Sequence, residues 1–390
     1  MTKETTLSKD YKSIVEKDGK YVMQTYTRQP IALESGKGSV VRDINGNEFI
    51  DCVAGIAVNN VGHCHPRVVE AISKQAEKLI HVSNIYYTDV QAQLAEELIN
   101  ITSMGRAFFC NSGTEAVEAA MKLARVTTGK TEFIAAEHSF HGRTMGSLTV
   151  THKSIYRTPF EPLIQGEKFV AYNDAQAIRD EITKDTAAVI VEPIQGEGGI
   201  NVPSDEYLKE VREICDENDM LLIFDEVQTG FGRTGKWFCK DHSKVVPDIM
   251  TMAKAIGGGF PMGAIVARDG ISFGKSQHAA TFGGGPLACA ASLASINVIR
   301  DEGLVEHSAQ KGEYFMDKLR LLELDNIVEV RGRGLMIGVE INKPCADIVD
   351  LARENGVLLN CTSEKVIRIA PPLVITKEQI DTVVDVLAQI

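Results

Sequence analysis

The sequence predicts an α/β fold built on a mostly parallel central sheet, and three observations carry that expectation. From about 106 to 270, short apolar runs alternate with stretches of helical spacing. Two of those runs, LLIFD at 221–225 and IMTMAK at 249–254, stop on a single charge and pass into glycine-rich turns. At 390 residues the chain exceeds one ordinary core, so two domains, or three, are expected.

In chain order, the N-terminal MTKETTLSKDYKSIVEKDGK lacks an apolar core and is too acidic for an organellar presequence, so the cytoplasm is the expected location. SVVRDINGNEFIDCV at 39–53 reads as a hairpin turning at Asn45-Gly46. His63-Cys64-His65 cannot all face one ion, and no distant ligand pair completes a site. The triplet reads as a turn into a helix starting at Pro66, and no metal is expected. Residues 66–80 and 88–103 carry helical spacing. The runs AFFCN, FIAAE, AAVIVEP, LLIFDEV, DIMTMAK and GAIVAR follow as strands. Beyond the glycines at 283–285, residues 286–324 read as helical. IVEVRGRGLMIGVEI, a helix, VIRIAPPLVI and a last helix then suggest a small α/β subdomain. The expected division is 1–58 as a terminal segment packing with the small domain, 59–285 as the large domain, and 286–390 as the small domain.

Hydrophobic residues at 44% and charged residues at 24% are those of a soluble globular chain. Forty-one basic against fifty-three acidic residues give −12, which argues against nucleic acid or an anionic membrane as the main partner. No apolar run reaches transmembrane length. The eight cysteines are scattered without a CxxC and read as packing, not as a disulfide frame.

An apolar run that ends on a charge and then turns reads as a buried strand delivering one polar group to the sheet's carboxyl edge, where such sheets hold ligands. Lys254 and Asp225 are those groups. A lysine able to form a Schiff base, with an aspartate able to hold a pyridinium nitrogen, is the protein's half of pyridoxal phosphate (PLP) chemistry. Alone the pair is a weak signal, because charges at strand ends are usually just solvated.

Asn111-Ser112-Gly113-Thr114-Glu115 opens a helix after AFFC, and its free amides suit a phosphate. An ordinary N-cap accounts for the same residues, and in isolation is the commoner case. Phe140, in SFHGR, could stack on a planar ring, and Arg143 could hold a carboxylate by two parallel hydrogen bonds. A loop aromatic and a surface arginine is the plain alternative. Glu192 and Glu197 share the loop EPIQGEGG; one could orient neighbours while the other faces a cavity, and the sequence leaves open which. Arg368 interrupts the apolar strand VIRIAPPL, so it either meets solvent or points into a cleft. Gly230-Phe231-Gly232-Arg233-Thr234-Gly235 satisfies GxGxxG, and with Lys236 it mimics GxxxxGK. Residues 226–229 separate it from the strand, no helical pattern follows, and Trp237 stands where Ser or Thr is needed. It reads as a glycine-rich surface turn.

NSGTEA, SFHGRT, EPIQGEGG, IFDEVQTGFGRTG, TMAKAIGGGFPMGA, TFGGGPLA and VIRIAPPL occur in the order seen in class III aminotransferases, which are fold type I PLP enzymes. The chain resembles that family from about residue 20 to its end. The resemblance implies that Lys254 bonds PLP and shuttles the proton between substrate carbon and C4′, while Asp225 pairs with the pyridine nitrogen. Phe140 and Val227 would sandwich the ring, and Gln228 would lie near its 3-hydroxyl. Ser112, Gly113 and Thr114 would bind the phosphate, joined by Thr281 from the other subunit of a homodimer with shared active sites. Arg143, Glu197 and Arg368 would handle substrate.

Within the family, YVMQTYTRQPIALESGKG, VAGIAVNNVGHCHPRVVEAI and HVSNIYYT look most like acetylornithine aminotransferases of arginine biosynthesis. These move an amino group from acetylornithine to 2-oxoglutarate, forming glutamate. Ornithine aminotransferases carry a substrate-holding tyrosine where this chain has Ile56, whose place in the substrate site therefore favours an acylated donor. GABA aminotransferases can carry isoleucine there too, but lack the HVSNIYY stretch. Gly285 departs from the asparagine frequent in relatives. The alternatives are another ω-aminotransferase (for GABA, ornithine or succinyl-diaminopimelate), a PLP mutase acting on glutamate semialdehyde, and a nucleotide-binding protein built on 230–236.

Overall fold

The apolar runs of the middle of the chain become a seven-stranded sheet in a computed structural model that describes residues 9–322 and 324–389. Its spatial order is Arg106–Cys110, Gly263–Ala267, Ile249–Met252, Leu221–Asp225, Thr186–Val191, Glu132–Ala136 and Glu167–Val170. Gly263–Ala267 runs antiparallel to both its neighbours, and the other pairings are parallel. Every residue of Thr186–Val191 is buried, so the strand shows no polar alternation; helices cover both faces. The helix Gly113–Thr128 lies on one face through Ala116, Ala119 and Ala120, small enough to let it approach the strands closely, with the larger Leu123 also buried there. The helices Pro66–Lys78 and Asp89–Thr102 pack against Pro286–Asp301. Among the described residues no helix is long and apolar enough to cross a membrane.

Two four-stranded sheets flank this one. Leu33–Lys37, Val40–Asp43 and Glu48–Asp51 form an antiparallel ladder whose second turn contains Asn45-Gly46, with Gly46 at φ 84. Asp43 Oδ1 closes that turn by accepting from the amides of Asn45 and Asn47, at 2.8 and 2.9 Å. Val357–Leu358 then adds to this N-terminal ladder in parallel, opposite Ile50 and Asp51. The second sheet is antiparallel, in the order Ile327–Arg333, Met336–Ile341, Val366–Ile369, Asn360–Thr362. His65 caps the helix that begins at Pro66, its ring accepting from the Arg67 amide.

Two expectations are corrected. Cys345 and Cys361 form a disulfide, because the return of the chain from the helix Ala346–Glu354 brings their Cα atoms to 5.8 Å. The other six cysteines are free, and five of them are buried. The glycine-rich segment 230–235 is not a surface turn, since all six residues are buried. Gly232 and Gly235 adopt φ of 85 and 83, and a Cβ at Gly235 would come within 2.9 Å of Ala309. Glycine thus lets the segment slip beneath the helix Leu304–Arg320.

Candidate active site

Strand ends and helix starts converge on one cavity of about 480 Å³ at the carboxyl edge of the central sheet. Asp225 closes its strand, is 5% exposed, and has both carboxylate oxygens engaged. Oδ1 accepts from the Val227 amide at 3.1 Å and from Thr251 Oγ1 at 3.0 Å, and Oδ2 meets His141 Nδ1 at 2.7 Å. An ionised carboxylate only accepts, so His141 Nδ1 carries the proton. Lys254 follows the neighbouring strand, with φ of 50, and lines the same cavity. Burial pushes its amine below the ordinary lysine range, with Glu197 opposing and Arg368 adding to the shift.

Ser112 is both things the sequence allowed: it caps the helix, accepting from the Glu115 amide, and it lines the cavity with Gly113 and Thr114. The first amides of that helix have no intrahelical acceptor and carry the positive end of its dipole. A Cβ at Gly113 would lie 2.9 Å from Val227, so only glycine allows this helix start to close on the loop after Asp225. Phe140, Val227 and Gln228 line the cavity as well. Arg143 lies over the Tyr156 ring, 3.5 Å from its centroid, and also borders the cavity.

Glu197 faces this space and is ion-paired to Arg368 Nη1. Burial alone would raise the Glu197 carboxyl, but Arg368 and Lys254 beside it outweigh that and hold it low. Arg368 is 1% exposed and points inward from its strand. It also contacts Asn360 Oδ1 at 3.2 Å and Gln228 Oε1 at 3.4 Å, while its Nη2 has no partner among the described residues.

Three of the expected residues do not line the cavity: Arg368 stands behind Glu197 and reaches the lining only through Glu197 and Gln228, and Thr281 and Ile56 lie elsewhere. Thr281 is exposed in a shallow recess with His81, Asn84 and Gln91, outside the cavity of its own chain. Ile56 is 43% exposed and absent from the lining, where Val58 stands instead. It sits in a left-handed turn, Ala54 to Ala57, with φ of 50, 65, 66 and 60, which is costly for isoleucine. Asp51 Oδ1 supports the turn by accepting from the Val53 and Ala54 amides at 2.9 Å. Sequence reasoning missed two residues, His141 and Thr251, and left open which of Glu192 and Glu197 faces the cavity; both line it. Glu192 lines the cavity and is 6% exposed, and burial pushes its carboxyl up to about 7, with His141 opposing. A histidine inside SFHGRT and a threonine opposite Asp225 in the next strand were the available signals.

A fold type I core with a half-buried lysine and a buried aspartate on one cavity defines a class of enzyme, and the family profile agrees. The aminotransferase class-III family matches residues 21–390, and the chain belongs to it. The acetylornithine aminotransferase of Methanosarcina acetivorans is 70% identical over 380 residues, covering 97% of this chain and 96% of that one. Among solved structures, the ornithine aminotransferase of Toxoplasma gondii superposes with a TM-score of 0.95 at 34% identity, covering 98% of this chain and 95% of its own. The acetylornithine aminotransferase of Elizabethkingia anophelis gives 0.87 at 33%, covering 98% and 99%.

Proposed function

We propose that this aminotransferase uses PLP to move the δ-amino group of N2-acetyl-L-ornithine to 2-oxoglutarate. The products are N-acetyl-L-glutamate 5-semialdehyde and L-glutamate, a step of arginine biosynthesis, and the enzyme is a cytoplasmic homodimer. The carrying observation is the closed pair that Glu197, on the cavity lined by Lys254 and Asp225, makes with the buried Arg368 behind it. At 70% identity, the acetylornithine aminotransferase of Methanosarcina acetivorans supports the choice of donor.

The residues fit PLP. Helix-start amides at Gly113 and Thr114 suit its phosphate, Phe140 and Val227 offer apolar surfaces to its ring, and Gln228 suits its 3-hydroxyl. When bound, PLP supplies an aldehyde carbon that takes the amine and a ring that takes up the electron pair left as the substrate carbon loses its proton. Asp225, held by His141 and Thr251, keeps the ring nitrogen protonated. Lys254, whose burial favours the neutral amine, carries the proton between the substrate carbon and C4′. In a homodimer Thr281, exposed and outside its own cavity, would reach the phosphate of the neighbouring subunit. Nearby Tyr87 at 106% and Phe282 at 65% exposure are apolar surface that a second copy would cover.

Two unlike substrates must share this cavity. Glutamate has a carboxylate beside its reacting amine and the acyl donor does not, so an arginine waiting for it would be left as an unpaired buried charge. Glu197 neutralises Arg368 while the donor is bound and swings aside when glutamate or 2-oxoglutarate enters. Arg143 holds the distal carboxylate in both halves.

Comparing kcat/KM for N-acetylornithine, ornithine and GABA with 2-oxoglutarate tests the donor. N-acetylornithine should be best, and a clear win for either other amine sinks the assignment while sparing the class. Lys254→Ala should abolish transamination while leaving PLP or its amine form able to bind through the phosphate and ring contacts. A second reading, an ω-aminotransferase for ornithine, GABA or succinyl-diaminopimelate, gains from Ile56 lying outside the lining: the missing tyrosine then discriminates less.

A further inference from the structure

We propose that Glu192 is a positioning residue that fixes the main chain at Gly196–Glu197 and ties it to Phe140, so that Glu197 opens by side-chain rotation alone. The inference rests on the gate described above. Glu192 Oε1 accepts from the Phe140 amide at 3.0 Å, and Oε2 accepts from the Gly196 amide at 2.9 Å. Among the described residues neither amide has another acceptor. A carboxylate engaged through both oxygens sets the spacing of the two loops it bridges, one carrying the ring-facing Phe140 and the other the gate.

The far side of Glu197 is held as well. Its carbonyl accepts from Thr362 Oγ1 at 2.7 Å and from Ser363 Oγ at 3.2 Å. The amide just before the gate residue and the carbonyl just after it are therefore both fixed. Sliding of the loop is blocked on either side. A Cβ at Gly196 would meet the Gln228 side chain at 2.5 Å, and one at Gly198 would meet the His138 carbonyl at 2.8 Å. What stays free is rotation about the Glu197 side-chain bonds, which is fast and moves the carboxylate without breaking any of these contacts.

The groups facing Glu192 are His141, Asp225, Lys254 and Tyr172, whose hydroxyl donates to the Glu192 carbonyl at 3.0 Å. With burial pushing the Glu192 carboxyl up to about 7, both amides are accepted fully only above that pH, so the test is run at about pH 8.

Glu192→Gln keeps the shape but turns one acceptor into a donor. In the PLP-loaded enzyme, hydrogen exchange followed by mass spectrometry should speed up by about tenfold at one or both of the Phe140 and Gly196 amides. In single turnovers the acetylornithine half-reaction should slow by about tenfold while the glutamate half changes less, because a displaced Glu197 covers Arg368 poorly. Thr362→Val, which loosens the other side, should shift the same ratio by about twofold. Unchanged exchange at both amides in Glu192→Gln, or an unchanged ratio of half-reaction rates in both variants, overturns the proposal. A native enzyme without transamination would instead defeat the functional reading, and the exchange result would still decide the role of Glu192.

Discussion

Arg233 and Arg368 are 0% and 1% exposed, yet they are held in opposite ways. Arg233 donates to the carbonyls of Leu335 and Pro371 at 2.9 and 2.5 Å, and to Asn60 Oδ1 at 2.6 Å. Its own carbonyl accepts from the Leu335 amide at 3.0 Å and from Ser308 Oγ at 2.8 Å. No carboxylate pairs with it among the described residues, and burial works against its charge. Arg368 is met only by side chains, Glu197, Gln228 and Asn360; each arginine keeps one nitrogen without a partner among the described residues. Main-chain acceptors cannot leave, whereas a side chain can rotate away. Two of the three groups that hold Arg233 are main-chain carbonyls, so that guanidinium is built into the fold, whereas every group that meets Arg368 is a side chain, as the proposed exchange of Glu197 for a substrate carboxylate requires.

Arg233→Met strands three acceptors in the interior and should cost about 3–5 kcal/mol of stability, read as a lower thermal midpoint. The ratio of its two half-reaction rates should stay near native; a shifted ratio with unchanged stability would put Arg233 in the wrong category. Arg368→Ala should slow the 2-oxoglutarate half-reaction by about a hundredfold and the acetylornithine half much less. Equal losses in both halves would remove the exchange of carboxylates from the account. Glu197→Ala should act in reverse, making α-amines relatively better donors by about tenfold, and single-turnover spectra with glutamate and acetylornithine would read it.

The smallest effect concerns Glu226, which opens the loop leading to Arg233. Its carboxylate takes the amides of Cys239 and Lys240 and the hydroxyl of Thr229, and burial pushes it from 4.5 up to about 7. A raised carboxyl keeps its proton in the fold where the unfolded chain has lost it. Its favourable contribution is thus complete below 4.5 and fades as pH rises through about 7. Glu226→Gln carries no such proton, so the stability difference should move in the variant's favour between about pH 5 and 8, measured by urea midpoints. A constant difference would mean that Glu226 stays ionised throughout.

Much of this was legible in the sequence, for stated reasons. A buried strand that ends on a charge is a local pattern, so Asp225 and Lys254 could be placed without any contact map. Glu167–Val170 was missed because EKFV is an edge strand with half-exposed residues and no apolar run. The helix Lys9–Tyr21 was missed because its charges leave it no apolar run, although its few apolar residues do share a side. His141 and Glu192 were illegible as partners, since their bonds to Asp225 and Phe140 span 84 and 52 residues of chain. The segment 230–235 misled because glycine marks turns in general, while burial here depends on Arg233 finding carbonyls more than a hundred residues away.

The short parallel pairing of Val357–Leu358 with Ile50 and Asp51 has a consequence for synthesis. The N-terminal ladder emerges from the ribosome early, but its last strand comes only near the end of the chain. At roughly 5–20 residues per second, its edge waits tens of seconds for that strand. The Leu358 carbonyl then takes the Cys52 amide at 3.0 Å, and the Cys52 carbonyl takes the Ala370 amide at 2.8 Å. These bonds lie directly beside the turn that Asp51 supports and on the stretch of chain that carries Arg368. A nascent chain that has reached only residue 350 would have every strand of its central sheet, while Val357–Leu358 and the strand that carries Arg368 are still to come.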